Sequence, residues 1–364
     1  MRFKSVCMAA TAALAMAVLG PSAALADVSL PTPHCGTVTG TNCLQFDDFT
    51  VYSLALLNLQ AGAGPISPGD PFDVSTNGTA LQNSLVVGTG VNGAGSINSD
   101  QIGGGLVDNA FDTPSGDLEN FRMSTANDGT QGANIPGNTS ATWDVSVAAL
   151  LTYLNGGKLA FFFNLNQTNT VTYLNDNQDA LGWLAVTLSD TTGVHASKTF
   201  YLDGDACNGV IGLPGSTNCD PGQSYKGTMP PLTQDQFDNQ NILTDQTASH
   251  DEWAYIHGQI CANTSGALLH FGACTGSEVN GVTLNQNLGA NTAAFALYSD
   301  GLQQWLLSGD YNKMSVDLRM AAENNGYEQL LIQAVHIPEP VTVMLFGTGL
   351  FAVTALRRRK FKTA

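Results

Sequence analysis

The sequence predicts a mainly β protein: an antiparallel, β-sandwich-like body with a few short helices, held between an N-terminal signal peptide and a C-terminal hydrophobic segment. Three observations carry this prediction. The 364-residue chain is rich in Gly, Asn, Thr and Ser and poor in Lys and Glu, the residues from which exposed helices are built. Its apolar stretches are short and bounded by polar turns. Outside the N-terminal segment six cysteines remain, an even number that suits an exported, disulfide-bonded chain.

At the N-terminus, Arg2 and Lys4 precede an apolar stretch over residues 6–20, and Ala24-Leu25-Ala26 supplies the small-residue pattern that signal peptidase reads. Cleavage is expected after Ala26, so that residues 1–26 leave. Asp27, not Cys, stands next, which argues against a lipid-anchored lipoprotein.

The body, 27–336, is expected to be one β-rich extracellular domain. Residues 27–142 are its least legible part, with weak strands near 45–57 and 81–87 among turn-rich segments at 62–70 and 88–105. No period of 20 to 50 residues repeats, so no repeat array is expected.

From Trp143 onward the pattern sharpens. Asp144 or Ser146 can cap a short helix whose Val147, Leu150, Leu151 and Leu154 follow helical spacing, with Gly156-Gly157 to end it. The run 159–165 is nearly continuous in apolar residues and reads as a strand buried on both faces. Residues 182–188 form a further strand, with 197–202 paired nearby. Later, 293–297 reads as a strand, Ser299 or Asp300 can cap a helix through Leu307, and Gly309 can stop it. Residues 315–320 alternate polar and apolar, and Asn324-Asn325-Gly326 signals a hairpin turn before the last strand at 327–335.

The last strand runs almost directly into Pro338-Glu339-Pro340, an uncharged 16-residue run at 341–356, and Arg357-Arg358-Arg359-Lys360. Moving Arg or Lys through hydrocarbon costs about 2.5–3.5 kcal/mol each, so the basic cluster is a stop signal that stays in the cytoplasm. A helix of this length reaches only about 24 Å against a hydrocarbon core of ~30 Å, which suits a processed signal slightly better than a permanent anchor.

Pro-Glu-Pro, apolar helix and arginine cluster, in that order and behind a cleaved leader, resemble the PEP-CTERM proteins that Gram-negative bacteria export and an exosortase recognises. The resemblance implies transient membrane insertion through the helix at 341–356. It also implies a cut near Pro338, Glu339 and Pro340 by a membrane cysteine protease, and release of the body to the cell surface or an exopolysaccharide matrix. The segment 337–364, including Arg357, Arg358 and Arg359, is then the sorting signal, and an ordinary single-span anchor is the alternative. Trp143-Asp144-Val145-Ser146 with the Phe-rich strand after it, and Asn325-Gly326-Tyr327-Glu328-Gln329-Leu330, also resemble uncharacterised exosortase-sorted surface proteins, a similarity that brings no known activity.

Between the leader and the apolar run at 341–356, with Glu339 counted, six basic residues face 30 acids, a formal charge of −24. Such a body repels DNA, RNA and anionic lipid, and nucleic-acid binding is excluded. The six cysteines fall into three local couples, and short loops pair Cys35 with Cys43, Cys207 with Cys219, and Cys261 with Cys274. Tight C-x-x-C spacing with histidines in ligand register, which a metal site requires, is absent.

No G-x-S-x-G pentad and no H-E-x-x-H occur; His250 and His257 are seven apart and would need tertiary placement to share a metal. Paired carboxylates for glycoside hydrolysis need no local signature, and Glu252 beside Trp253 is the glutamate singled out. Oxygen-rich turns at Asp203 with Asp205 and at Asp176 with Asp179 are candidate calcium ligands. The first departs from an EF-hand by carrying Cys207 at its fifth position, and Asx turns form the same pattern without metal. Tyr173, Trp183, Tyr201, Trp253, Tyr255 and Trp305 are candidate sugar platforms, although Trp183 and Trp305 lie in apolar patterns that suit a core. The expectation is a non-catalytic surface or matrix protein with a structural or adhesive role, processed by signal peptidase and exosortase, with exopolysaccharide as partner. The alternative is an extracellular carbohydrate-active hydrolase or a calcium-dependent carbohydrate-binding module.

Overall fold

A computed structural model describes residues 28–35, 42–75, 85–89, 98, 102, 105–112, 120–122, 135–139, 141–167, 178–203, 254–289, 291–321 and 328–338. In chain order the elements are β1 (Val28–Ser29), β2 (Leu44–Phe46), β3 (Phe49–Ser53), α1 (Leu54–Gln60), β4 (Leu85–Thr89), β5 (Phe111–Asp112), β6 (Asn120–Arg122), β7 (Trp143–Ser146) and α2 (Val147–Leu154). There follow β8 (Lys158–Phe163), β9 (Ala180–Ser189), β10 (Lys198–Leu202), β11 (Ala254–Ile256), β12 (Gln259–Asn263), β13 (Leu268–Phe271), β14 (Gly281–Asn285), β15 (Phe295–Tyr298), α3 (Asp300–Leu306), β16 (Lys313–Ala321) and β17 (Leu330–His336). The protein is mainly β, as its composition predicts.

The described strands form three sheets. The first runs β2-β3-β15-β8-β17-β4-β5, with β1 added in parallel to the end of β17. The second runs β10-β9-β16-β6, with β11 extending the β9 edge beyond β10 and β7 extending the β16 edge beyond β6. A small third sheet has the order β13-β12-β14. Apart from β1–β17 and β4–β5, all of these pairings are antiparallel.

Period-2 alternation decides which side chains meet. From β8, Leu159, Phe161 and Phe163 face Leu184, Val186 and Leu188 of β9 and Met314, Val316 and Leu318 of β16 in one shared core. The other face of β8, Ala160 and Phe162, packs with Tyr52, Val86, Leu331 and Leu30 in a second core. Burial on both faces is why this strand reads as a continuous apolar run, and the expectation for 159–165 holds over Lys158–Phe163.

The local structure corrects several expectations. The chain turns helical at Leu54 instead of continuing as a strand to 57, because the Ser53 side chain accepts from Leu56 N and caps α1. Helix α2 forms as expected, but Ser146 caps it without a side-chain bond, and the left-handed residue that ends it is Asn155 (φ 46°), one position before the Gly pair. Asp144 is no cap at all; it is fully buried in β7. Ser299 does cap α3, accepting from Leu302 N at 3.2 Å. The expected hairpin around Asn325-Gly326 does not pair its flanking strands: β16 belongs to the second sheet and β17 to the first. The connection therefore crosses between the layers, and residues 322–327 themselves lie outside the described ones.

Cys35–Cys43 and Cys261–Cys274 are disulfide-bonded, as the local pairing expects. The Cys207–Cys219 couple lies outside the described residues, as do the signal peptide with Ala24 and Ala26, the sorting residues Glu339, Pro340, Arg357, Arg358 and Arg359, and the expected membrane helix at 341–356. Among the described residues no helix is long and apolar enough to cross a membrane.

Candidate functional site

The two sheets do not close evenly. Toward the end of the sandwich carrying β11 and the third sheet, they leave a cavity of about 110 Å³. On its wall Gly182 of β9 stands between Ala254 of β11 and Met320 of β16, and the Ile256 side chain packs over it, 3.0 Å from where a Cβ would lie. Leu184, Leu202 and Leu318 continue this wall, and Phe163, Val51, Leu297 and Leu330 face it from the first sheet. Ile260, Leu268 and Phe271 of the third sheet and Leu56 of α1 complete the lining.

A polar cluster lies beside this lining, which His257 and Gln286 reach. Asp179 directly precedes β9 and His257 directly follows β11, so the pairing of those strands brings them together. Asp179 Oδ1 accepts from Gly258 N at 2.8 Å, and Asp179 Oδ2 lies 3.4 Å from His257 Nδ1. The imidazole stacks on Phe271, centroids 4.5 Å apart and planes 15° from parallel. Gly258 is required here, because a Cβ would come within 2.6 Å of the Gln178 carbonyl oxygen. Gln286 N donates to Gly258 O at 2.8 Å, and Gln286 Nε2 donates to His257 O at 2.8 Å. The remaining amide oxygen, Gln286 Oε1, is buried and accepts no hydrogen bond from the described residues.

An acid–imidazole pair beside a chamber resembles two parts of a hydrolytic triad, and among the described residues one hydroxyl lines that chamber. The cavity-lining hydroxyl, Ser53 Oγ, is the cap of α1 and accepts from Leu56 N at 3.3 Å.

The sequence candidates fare as follows. Asp179 is buried, with its carboxylate held by Gly258 N–H and facing His257; Asp203 is buried at the end of β10; Asp176 and Asp205 lie outside the described residues. Trp183 is 2 % exposed, on the face of β9 away from the cavity core, where the Arg319 guanidinium sits 5.1 Å above its ring and Tyr201 lies 6.1 Å away. Trp305 is partly buried against the core, with Lys198 Nζ 4.0 Å from its ring centroid. Neither indole is an open sugar platform; both belong to packing, as their apolar surroundings indicate. Tyr173, His250, Glu252 and Trp253 lie outside the described residues. Cys261, Cys274 and Glu278 converge within 4.8 Å, but the two sulfurs are bonded to each other and Glu278 bonds His270, so the group is a cross-linked turn.

The role of Gln286, and of His257 apart from any metal, is not apparent in sequence. No local pattern marks the place: Asp179 and His257 flank β9 and β11 and meet only through the pairing of those strands.

On the same outward face as Trp183, burial pushes the Asp317 carboxyl above the ordinary range, an effect the Arg319 guanidinium at 2.7 Å opposes. This pair anchors the indole stack and is structural.

No curated protein and no solved structure matches the chain. Residues 336–360 match the PEP-CTERM protein-sorting motif, starting at the final residue of β17, which identifies an exosortase-sorted, exported protein. Residues 28–319, from β1 almost to the end of β16, match a family profile, and the chain therefore belongs to the family described as Domain of unknown function (DUF8239).

Proposed function

We propose that the protein is a non-catalytic component of the cell surface or extracellular matrix, with a structural or adhesive role in an exopolysaccharide setting and the sorting tail removed on delivery. The observation that carries this reading is the continuity of body and signal. The central strand β17 ends at His336, where the sorting motif begins, so a stable β body is presented with no intervening linker. Two described disulfides suit an oxidising compartment. The described cavity between the sheets, about 110 Å³, is lined mostly by hydrocarbon and offers a sugar ring little to bond, which supports scaffolding over glycoside hydrolysis.

The test is the intact mass, under non-reducing conditions, of the protein recovered from the surface and medium of its host. A species beginning at Asp27, ending near Pro338 to Pro340 and lighter by six hydrogens supports export, tail removal and three disulfides together. A species that retains Arg357, Arg358 and Arg359 and stays in the membrane fraction refutes release and leaves an anchored ectodomain.

A further inference from the structure

We propose that the open edge of the third sheet pairs with the same edge of a second copy of this chain, β14 against β14, about a two-fold axis at Leu284. The backbone decides which peptide groups are available. In β12, Gln259 O accepts from Gly272 N and Asn263 N donates to Ala267 O, so alternate residues of that strand turn toward β13. Ile260 and Ala262 therefore turn toward β14, where they meet Leu284 and Val282. The alternate residues of β14, Thr283 and Asn285, point their N–H and C=O groups away from the sheet, and both residues are exposed. Among the described residues no strand pairs with this edge.

Open edges are normally blunted by a charge, a proline or a bulge. The edge of β10 is closed by the chain itself: Asp48 N donates to Tyr201 O and Tyr201 N to Asp48 Oδ2, each at 3.0 Å. By contrast β14, Gly-Val-Thr-Leu-Asn, carries no charge and no proline, and its register with β12 has no shift.

Charge selects the occupant. The body carries −24, so most of its surface repels another copy. Residues 254–289, which hold the whole third sheet, contain no Lys or Arg and a single acid, Glu278, which meets His270 at 2.9 Å. Two copies approach there at least electrostatic cost. Antiparallel pairing about Leu284 sets Thr283 opposite Asn285 of the partner subunit, and the reverse by symmetry, each pair exchanging both N–H···O bonds. No like charges face each other across that strand pair. The two small sheets become one continuous sheet, an inference independent of the sorting reading.

The experiment is sedimentation velocity on the protein recovered from its host, in mild detergent, between about 1 and 200 µM, the range suited to a small interface. A monomer–dimer equilibrium is expected, with slower exchange of the Thr283 and Asn285 amides as concentration rises. Thr283→Pro removes an N–H that β12 does not use, so the variant is expected to fold and to stay monomeric. Should it fail to fold, Thr283→Lys is expected to weaken dimerisation tenfold or more. A monomer throughout the range, or a dimer unchanged in a folded Thr283→Pro or Thr283→Lys protein, overturns the proposal. Protection of those amides in a monomer by a co-purifying protein assigns the edge to another partner and overturns it as well.

Discussion

The hydroxyl of Thr32 donates to the carbonyl oxygen of Pro338 across 3.1 Å, joining residues 306 apart. It extends a short parallel ladder in which Val28 pairs with Val335 and Ser29 with His336, followed by donation from Leu30 N to His336 O at 2.9 Å. The first strand of the body thus holds the last one up to the first proline of the sorting motif. The expected consequence is that cleavage falls after Pro338, since a cut inside β17 would remove ladder residues. C-terminal peptide sequencing of the released protein checks it: a mature end at Ile337 or earlier would show that the ladder opens before the cut.

Lys313 and Asp144 form a buried ion pair on the outward face of the second sheet. Lys313 Nζ donates to Gly137 O at 2.6 Å and Thr139 Oγ1 at 2.7 Å and lies 3.5 Å from Asp144 Oδ2, which also accepts from Thr139 N at 2.6 Å. Lysine is 4 % exposed here and aspartate 0 %. Removing one charge leaves the other desolvated, so Lys313→Met should lower the unfolding free energy by about 3–5 kcal/mol in chemical denaturation. A loss under ~1 kcal/mol would show that the carboxylate regains water.

The third sheet should respond to pH through His270 and Glu278, whose side chains meet at 2.9 Å. His270 is raised above its ordinary value, mainly by the hydrogen bond of its ring to the Phe271 carbonyl and further by Glu278. Glu278 is lowered to about 2, mainly by the Thr275 hydroxyl and further by the imidazole and the Gly276 amide. A raised histidine contributes stability that is complete below its unfolded value of ~6.5 and fades as pH rises through the folded one. A lowered glutamate contributes stability that is complete above ~4.3 and fades as pH falls toward the folded value. Both contributions are therefore present between about pH 4.5 and 6.5. Amide exchange in β12 and β14 should be slowest, relative to intrinsic rates, in that window, and His270→Gln should remove the loss on the alkaline side. Equal protection at pH 5.5 and 8.5 in the wild type would refute the coupling.

Cys261 is fully buried in β12 and bonds Cys274 across a separation of 13 residues. Loop-closure entropy for a ring of that size is worth about 3 kcal/mol. The double replacement Cys261→Ala with Cys274→Ala should lower stability by about 2–3 kcal/mol in the absence of reductant, measured by urea unfolding. The change should also loosen the cavity wall formed by Ile260 and Phe271, which would appear as faster exchange at those amides.

Much of this protein is written in short stretches of chain. The Ser299 cap of α3, the helical spacing of Val147, Leu150 and Leu154, the apolar run of β8 and two of the cysteine couples depend on residues within about a dozen positions, and each stands where the sequence places it. The Pro338 motif is of the same kind, because a sorting signal is read as a linear segment. The N-terminal third was less legible because its strands are short and its strand-to-helix switch hangs on one hydroxyl, that of Ser53.

What the sequence by itself determined is the class of the body, its compartment and its local elements, since propensity, capping, charge and signal chemistry act between near neighbours. Tertiary structure alone decided which sheet each strand joins, that β16 and β17 enter different sheets instead of pairing, and that Gly182, Ala254, His257 and Gln286 meet at one cavity. The reason is that a strand's alternation says which side chains share a face, while its partner and register are set by packing against residues tens to hundreds of positions away.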